Sequence, residues 1–153
     1  MPMLLNYWHS FSKYPFGKLI FSYLLGFYIP YSGSITPEIL ELEKGYARVL
    51  IRDRRRLRNH LNSLHAAALM NFAELTSGLA FISGLGSGTQ GIVTHFEMEY
   101  LKKGRGDLIA ESRSEFVDIS DERKCEVEAI IRDNTNDIVA RGKATWLVRI
   151  KKI

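Results

Sequence analysis

Cysteine is almost missing from this chain. Cys125 is the only one in 153 residues, so no internal disulfide can form. It lies in Cys125-Glu126-Val127-Glu128-Ala129-Ile130-Ile131, a strand-like alternation. It therefore reads as a small, half-buried thiol in a reducing, cytoplasmic setting rather than as a nucleophile. No Cys/His spacing suits a metal centre. No glycine-rich stretch leads into Lys-Ser or Lys-Thr to cradle a phosphate, and no Gly-x-Ser-x-Gly elbow presents a serine nucleophile. Repeats, low-complexity tracts and interdomain linkers are also lacking. The apolar, aromatic run Phe16–Ile29 has 14 residues, contains Lys18 and stops at Pro30. That is too short to cross a bilayer easily. It also lacks the basic leader and small-residue cleavage site of a signal peptide. Residues 3–29 are expected to form helical segments, broken near Pro15-Phe16-Gly17 and packed on the domain, with contact to a membrane surface as a secondary reading.

What is present is ordinary for a globular domain: 46% hydrophobic residues, 25% charged residues and a net charge of +4. The length suits one domain with its own core, residues 30–153, preceded by the helical segment 1–29. The mild basicity does not indicate a nucleic-acid partner, because the basic run Arg52–Arg58 lacks interleaved aromatics and a recognised motif. An anionic small molecule fits the charge equally well.

Pro30-Tyr31-Ser32-Gly33 carries a turn signal. Residues 34–42 read as a strand that Pro37 places at an edge or starts with a kink. Glu43-Lys44-Gly45 turns the chain into a return strand, Tyr46–Ile51. A helix follows, capped by Asn62 or Ser63 and running to about Ser83, with strong formers at Ala66, Ala67, Ala68, Leu69 and Met70. It is apolar on nearly every side, which implies a helix enclosed by a sheet. Four strands follow, over residues 91–101, 107–119, 124–132 and 138–150. Their apolar/polar alternation suits an antiparallel sheet covered on one face. His95 reads as a sheet-face residue, and Asp133-Asn134-Thr135-Asn136-Asp137 as a hairpin loop. The class is α+β, an antiparallel sheet curled around one helix.

The start of that helix concentrates groups with catalytic spacing. Asn59 lies six residues before His65, and Glu74 nine after it. A carboxylate within an apolar helix pays for its burial in desolvation, so Glu74 is the best candidate for a general base or nucleophile. The free N–H groups of Ala66 and Ala67 at the helix start, backed by the helix dipole, form a natural site for a developing oxyanion. His65 suits orientation of a carbonyl or a bond at the cap. Asn59 suits a water or the fixing of its own loop. Ser77, three residues after Glu74, lies on the same face and suits the carboxylate or the water. Gly78, four after Glu74, leaves room for an acyl chain or a close helix contact. Nine residues at about 100° each make half a turn beyond whole turns. If His65 is already helical, it and Glu74 point to opposite sides. Two chains related by a two-fold axis would then bring one His65 to the other Glu74.

This stretch resembles the active-site helix of hot-dog-fold acyl-CoA thioesterases, the phenylacetyl-CoA type and related uncharacterised putative thioesterases. The likeness extends over residues 30–150. It includes the Pro30-to-Gly33 lead-in, the Tyr100-Leu101 pair closing a strand, and Asp133…Val139-Ala140-Arg141-Gly142 near the end. It implies a hot-dog fold and thioester hydrolysis at a dimer interface, in a homodimer or a homotetramer built as a dimer of dimers. No separate cofactor is implied, since coenzyme A enters as part of the substrate. Related thioesterases usually carry His-Gly-Gly where this chain has His-Ala-Ala. Arg55, Arg56 and Arg58, or Lys102, Lys103 and Arg105 from a later loop, are candidates to grip the coenzyme A phosphates. A non-catalytic acyl-CoA or lipid-binding protein is the alternative, motivated by the two alanines and the aromatic N-terminal segment. A hot-dog dehydratase would need a Phe-Pro-Gly turn after its histidine, which is absent.

Overall fold

A computed structural model describes residues 2–86, 88–115 and 122–150. The chain opens with helices α1 (Pro2–Ser12) and α2 (Gly17–Tyr28) and the one-turn helix α3 (Pro30–Gly33). Strands β1 (Glu38–Glu43) and β2 (Tyr46–Ile51) lead to the long helix α4 (Ala66–Gly84). Strands β3 (Thr89–Tyr100), β4 (Leu108–Arg113), β5 (Arg123–Arg132) and β6 (Ile138–Ile150) complete it. The six strands form one antiparallel sheet in the order β1-β2-β4-β5-β6-β3. β1 and β3 are therefore its two edges.

Alternation along the strands turns one row inward: Ala47, Val49 and Ile51 on β2, Leu108 and Ala110 on β4, Ala129 and Ile131 on β5, all buried. Against this face lies α4, whose Phe72, Ala73, Thr76, Ala80 and Phe81 are at most 1% exposed. The expected central helix wrapped by a curved sheet is what the chain forms, a hot-dog fold. By length and composition α4 would suffice to cross a membrane, but most of it is buried as the core helix.

The N-terminal break falls where expected. Phe16 takes a left-handed φ of 62°, and α2 starts at Gly17, where a Cβ would lie 1.7 Å from the Phe11 carbonyl oxygen. Several boundaries differ from the sequence expectation. Residues 30–33 make a helical turn, because Pro30 is preorganised for a first helical position. β1 begins at Glu38 rather than residue 34, since Thr36 has a φ of 47° and Pro37 offers no N–H to a ladder. The strand expected over 107–119 runs from Leu108 to Arg113, and residues 116–119 lie outside the described residues.

Candidate active site

The start of α4 is set by a histidine rather than by Asn62 or Ser63. His65 is the N-cap, with extended backbone, and its Nδ1 accepts from the Ala67 N–H at 3.0 Å. Asn62 is excluded by its φ of 56° in the preceding turn. Two consequences follow. With Nδ1 accepting from the backbone, Nε2 is the ring nitrogen left to face a ligand. Of the two alanine amides, Ala67 is occupied by the cap, and the Ala66 N–H has no acceptor among the described residues. His65 is not helical, so the half-turn arithmetic does not apply to its side chain.

The loop before the helix is tied down by Asn59. Its Oδ1 accepts from the Leu61 N–H (2.9 Å), the Ser63 N–H (3.3 Å) and the Ser63 hydroxyl (3.2 Å). The turn is closed by Asn59 N–H to Ser63 O and His65 N–H to Leu57 O, both 2.8 Å. From the other side, Leu64 N–H donates to Gly104 O at 2.8 Å. The Tyr100 hydroxyl at the end of β3 donates to Ala66 O at 3.1 Å. A cleft of about 340 Å³ opens between these elements, lined by Asn59, Ser63, Ala66, Leu69, Tyr100 and Lys103 among others. Tyr100 is a site residue that spacing did not single out as one. Its only signal was its position as the last residue of a long strand.

Glu74 does not line this cleft. It lies two turns along α4, on the outward stripe that also carries Ala66, Ala67 and Met70, where the sheet does not cover the helix. Its carboxylate is half-buried and has neither a cation nor a hydrogen-bond donor among the described residues. Burial, with nothing to offset it, pushes its pKa up from the ordinary 4.5. Ser77 donates to the Glu74 backbone carbonyl at 3.1 Å, so within one chain its proton is directed away from the carboxylate. Gly78 faces the ring of Trp146 at 3.4 Å from where a Cβ would be. The space beside it is filled by packing rather than left for an acyl chain.

The cationic candidates divide. Arg58 is paired with Asp53 at 2.7 Å and also bonds Asn62. Asp53 in turn accepts from the Gly106 N–H, and the Arg58 guanidinium followed by that amide draws its pKa down. Lys102 is held by Asp133 and Asp137 at 2.6 and 2.7 Å. Among the described residues Arg105 donates to Leu61 O, at 3.4 Å, and Arg56 to the Thr36 hydroxyl, at 3.3 Å. Arg55 and Lys103 are exposed and make no ion pair among the described residues. The geometry thus gathers Asn59, Ala66 and Lys103 at one cleft, and places Glu74 and Ser77 farther along the helix.

The sequence matches a family model described as a domain of unknown function, DUF4442, over residues 17–148. No curated protein matches the chain. Solved structures share its fold. A structural-genomics protein, APC5556, is 29% identical, with a TM-score of 0.84 over 98% of this chain and 99% of that one. A Pseudomonas aeruginosa protein described as a probable thioesterase is 23% identical, with a TM-score of 0.76 over 84% and 93%. A hypothetical thioesterase from Streptococcus pneumoniae, crystallised with coenzyme A, is 20% identical, with a TM-score of 0.64 over 76% and 88%.

Proposed function

The chain belongs to this DUF4442 family, and on that premise we propose that it is an acyl-CoA thioesterase whose site is completed across a homodimer interface. The observation that carries the reading is the unpartnered, half-buried carboxylate of Glu74 in an otherwise apolar helix. A carboxylate kept there without a cation is a poised base. It takes a proton from the attacking water. The new C–O bond forms at the thioester carbonyl, the C–S bond breaks, and the proton held by Glu74 passes to the sulfur, so that coenzyme A leaves as the thiol and the carboxylate is restored. The free Ala66 N–H polarises the carbonyl, assisted by the helix dipole. Arg55, Arg56, Lys103 and Arg105, the candidate cations with no carboxylate partner among the described residues, are the ones left to hold phosphates.

The dimer enters because one chain leaves its Glu74 outside the Asn59–Ala66 cleft. β3 is a twelve-residue edge that, among the described residues, pairs with β6 alone, beside the exposed stripe of α4. A two-fold copy added at this edge would bring its own helix entrance toward Glu74. The structures named as thioesterases, one of them with coenzyme A, support the same substrate class for this chain.

The non-catalytic alternative draws on one observation, the His65 cap that occupies the Ala67 amide and leaves only the Ala66 N–H of that pair without an acceptor among the described residues. A panel of short, medium, long and aromatic acyl-CoAs separates the two readings. Release of free thiol from at least one supports hydrolysis. Tight binding with no turnover over hours contradicts it and favours the binding protein. A monomer by light scattering at micromolar concentration would remove the interface-built site.

A further inference from the structure

Helix α2 is apolar on most of its surface, yet only four of its twelve residues are buried. Gly17, Phe21, Ser22 and Leu25 face inward. The outward face carries Leu19, Tyr23, Phe27 and their neighbours Ile20, Leu24 and Tyr28, repeating every four residues along twelve. Tyr23 and Phe27 are 77% and 81% exposed, with Phe16 at 77% before the helix and Tyr31 at 75% after it. An exposed apolar surface of this extent marks an interaction site.

The charges around it select the partner. Residues 1–37 contain no aspartate or glutamate. Arg54 lines the same groove of about 590 Å³ as Tyr23 and Phe27, and Arg55 and Arg56 follow it, all exposed. Glu38, the only carboxylate lining that groove, is neutralised by Arg52, which donates to both of its oxygens at 2.8 and 3.2 Å. Tyrosine, phenylalanine and leucine beside arginines that have no carboxylate partner among the described residues form the chemistry of a headgroup-level surface. A second copy docked here about a two-fold axis would bring two such arginine clusters together, which is repulsive. The helix is about 18 Å long, too short to cross the roughly 30 Å hydrocarbon layer, so it suits lying in the interface.

The same helix is rigidly seated. Lys18 Nζ donates to Leu40 O at 2.8 Å, and Ile39 N–H donates to the Ser22 hydroxyl at 2.8 Å, fixing α2 to β1. β1 is the sheet edge opposite β3, so dimerisation at β3 leaves this face open.

We propose that the outer face of α2, bordered by Phe16, Tyr31 and Arg54–Arg56, docks on the surface of an anionic lipid bilayer. This does not depend on the hydrolytic reading: Arg55 and Arg56 are offered to phosphates in both, whereas Arg54 and the aromatic face belong to this surface alone. The full chain is sedimented with vesicles of phosphatidylcholine alone and with about 30% phosphatidylglycerol added. Binding to the anionic vesicles is expected, weakened at least about fivefold as ionic strength rises from about 0.1 to about 0.5 M. The double variant Tyr23→Ser/Phe27→Ser should lose at least about tenfold in binding, with circular dichroism and light scattering unchanged. Tyr23→Trp keeps the apolar character and should bind and be quenched by brominated lipid, against a background of Trp8 and Trp146, each 5% exposed. The proposal is overturned if anionic vesicles do not pellet the protein, or pellet the double variant equally well. It is also overturned if the double substitution abolishes self-association in a protein that binds no lipid, which would assign the face to a second copy.

Discussion

At the β5–β6 hairpin loop both carboxylates have a cation and hydrogen-bond donors. Lys102 Nζ reaches Asp133 Oδ2 at 2.6 Å and Asp137 Oδ2 at 2.7 Å. Asp133 Oδ1 accepts from the N–H groups of Thr135 and Asp137 and from the Thr135 hydroxyl. The Lys102 ammonium, followed by that hydroxyl, holds Asp133 well below the usual carboxylate range. At the middle of α4, by contrast, Glu74 meets no donor among the described residues, and desolvation alone moves its pKa upward. One carboxylate shapes a loop and stabilises it at neutral pH. The other costs stability there, as expected of a group kept for chemistry rather than for folding.

The contrast can be broken most strongly at Gly142, which lets α4 sit close to β6. A Cβ there would lie 2.6 Å from the Ala73 Cβ and 2.8 Å from the Met98 Sδ. Gly142→Ala should lower stability by about 1–3 kcal/mol through overpacking, read from urea denaturation, and disturb the helix turn that carries Glu74. His65→Ala should cost about 1 kcal/mol by removing the cap. His65→Asn should recover most of it, because its amide oxygen can accept from the same N–H.

The smallest effects sharpen the contrast through pH. The raised pKa of Glu74 means that its protonated form suits the fold, so stability is lost as pH rises through the folded value. Glu74→Gln should therefore raise the melting temperature at pH 7, with the gain shrinking on acidification and absent below 4.5, the ordinary value. Asp133→Asn should do the opposite. Its cost should be present at pH 7 and fade as pH falls below 3.8, where the wild type begins to lose its own contribution. Equal pH dependence in the two variants would remove the distinction.

Much of the fold was legible because periodicity reports one buried face. The strand expected over residues 138–150 has the bounds of β6, and the apolar stretch after Leu64 is the core helix. Boundaries set by single side chains or backbone angles were less legible. The His65 cap depends on an imidazole folding onto Ala67, and the start of β1 on the φ of Thr36. At the site, the prominence of Glu74 in an apolar run was readable. The commitment of Lys102 was not, because its partners lie 31 and 35 residues away and meet it only when the β5–β6 hairpin packs beside the end of β3. The bond from Tyr100 to Ala66, across 34 residues, was hidden for the same reason.

The central claim, that the unpaired Glu74 carboxylate performs the hydrolysis, is tested most directly by the rate of thiol release by Glu74→Ala on the acyl-CoA the wild type turns over best. The account predicts a loss of at least about a hundredfold, the size expected for a missing catalytic group, in a protein that still folds and assembles. An unchanged rate in that folded, assembled variant would contradict it.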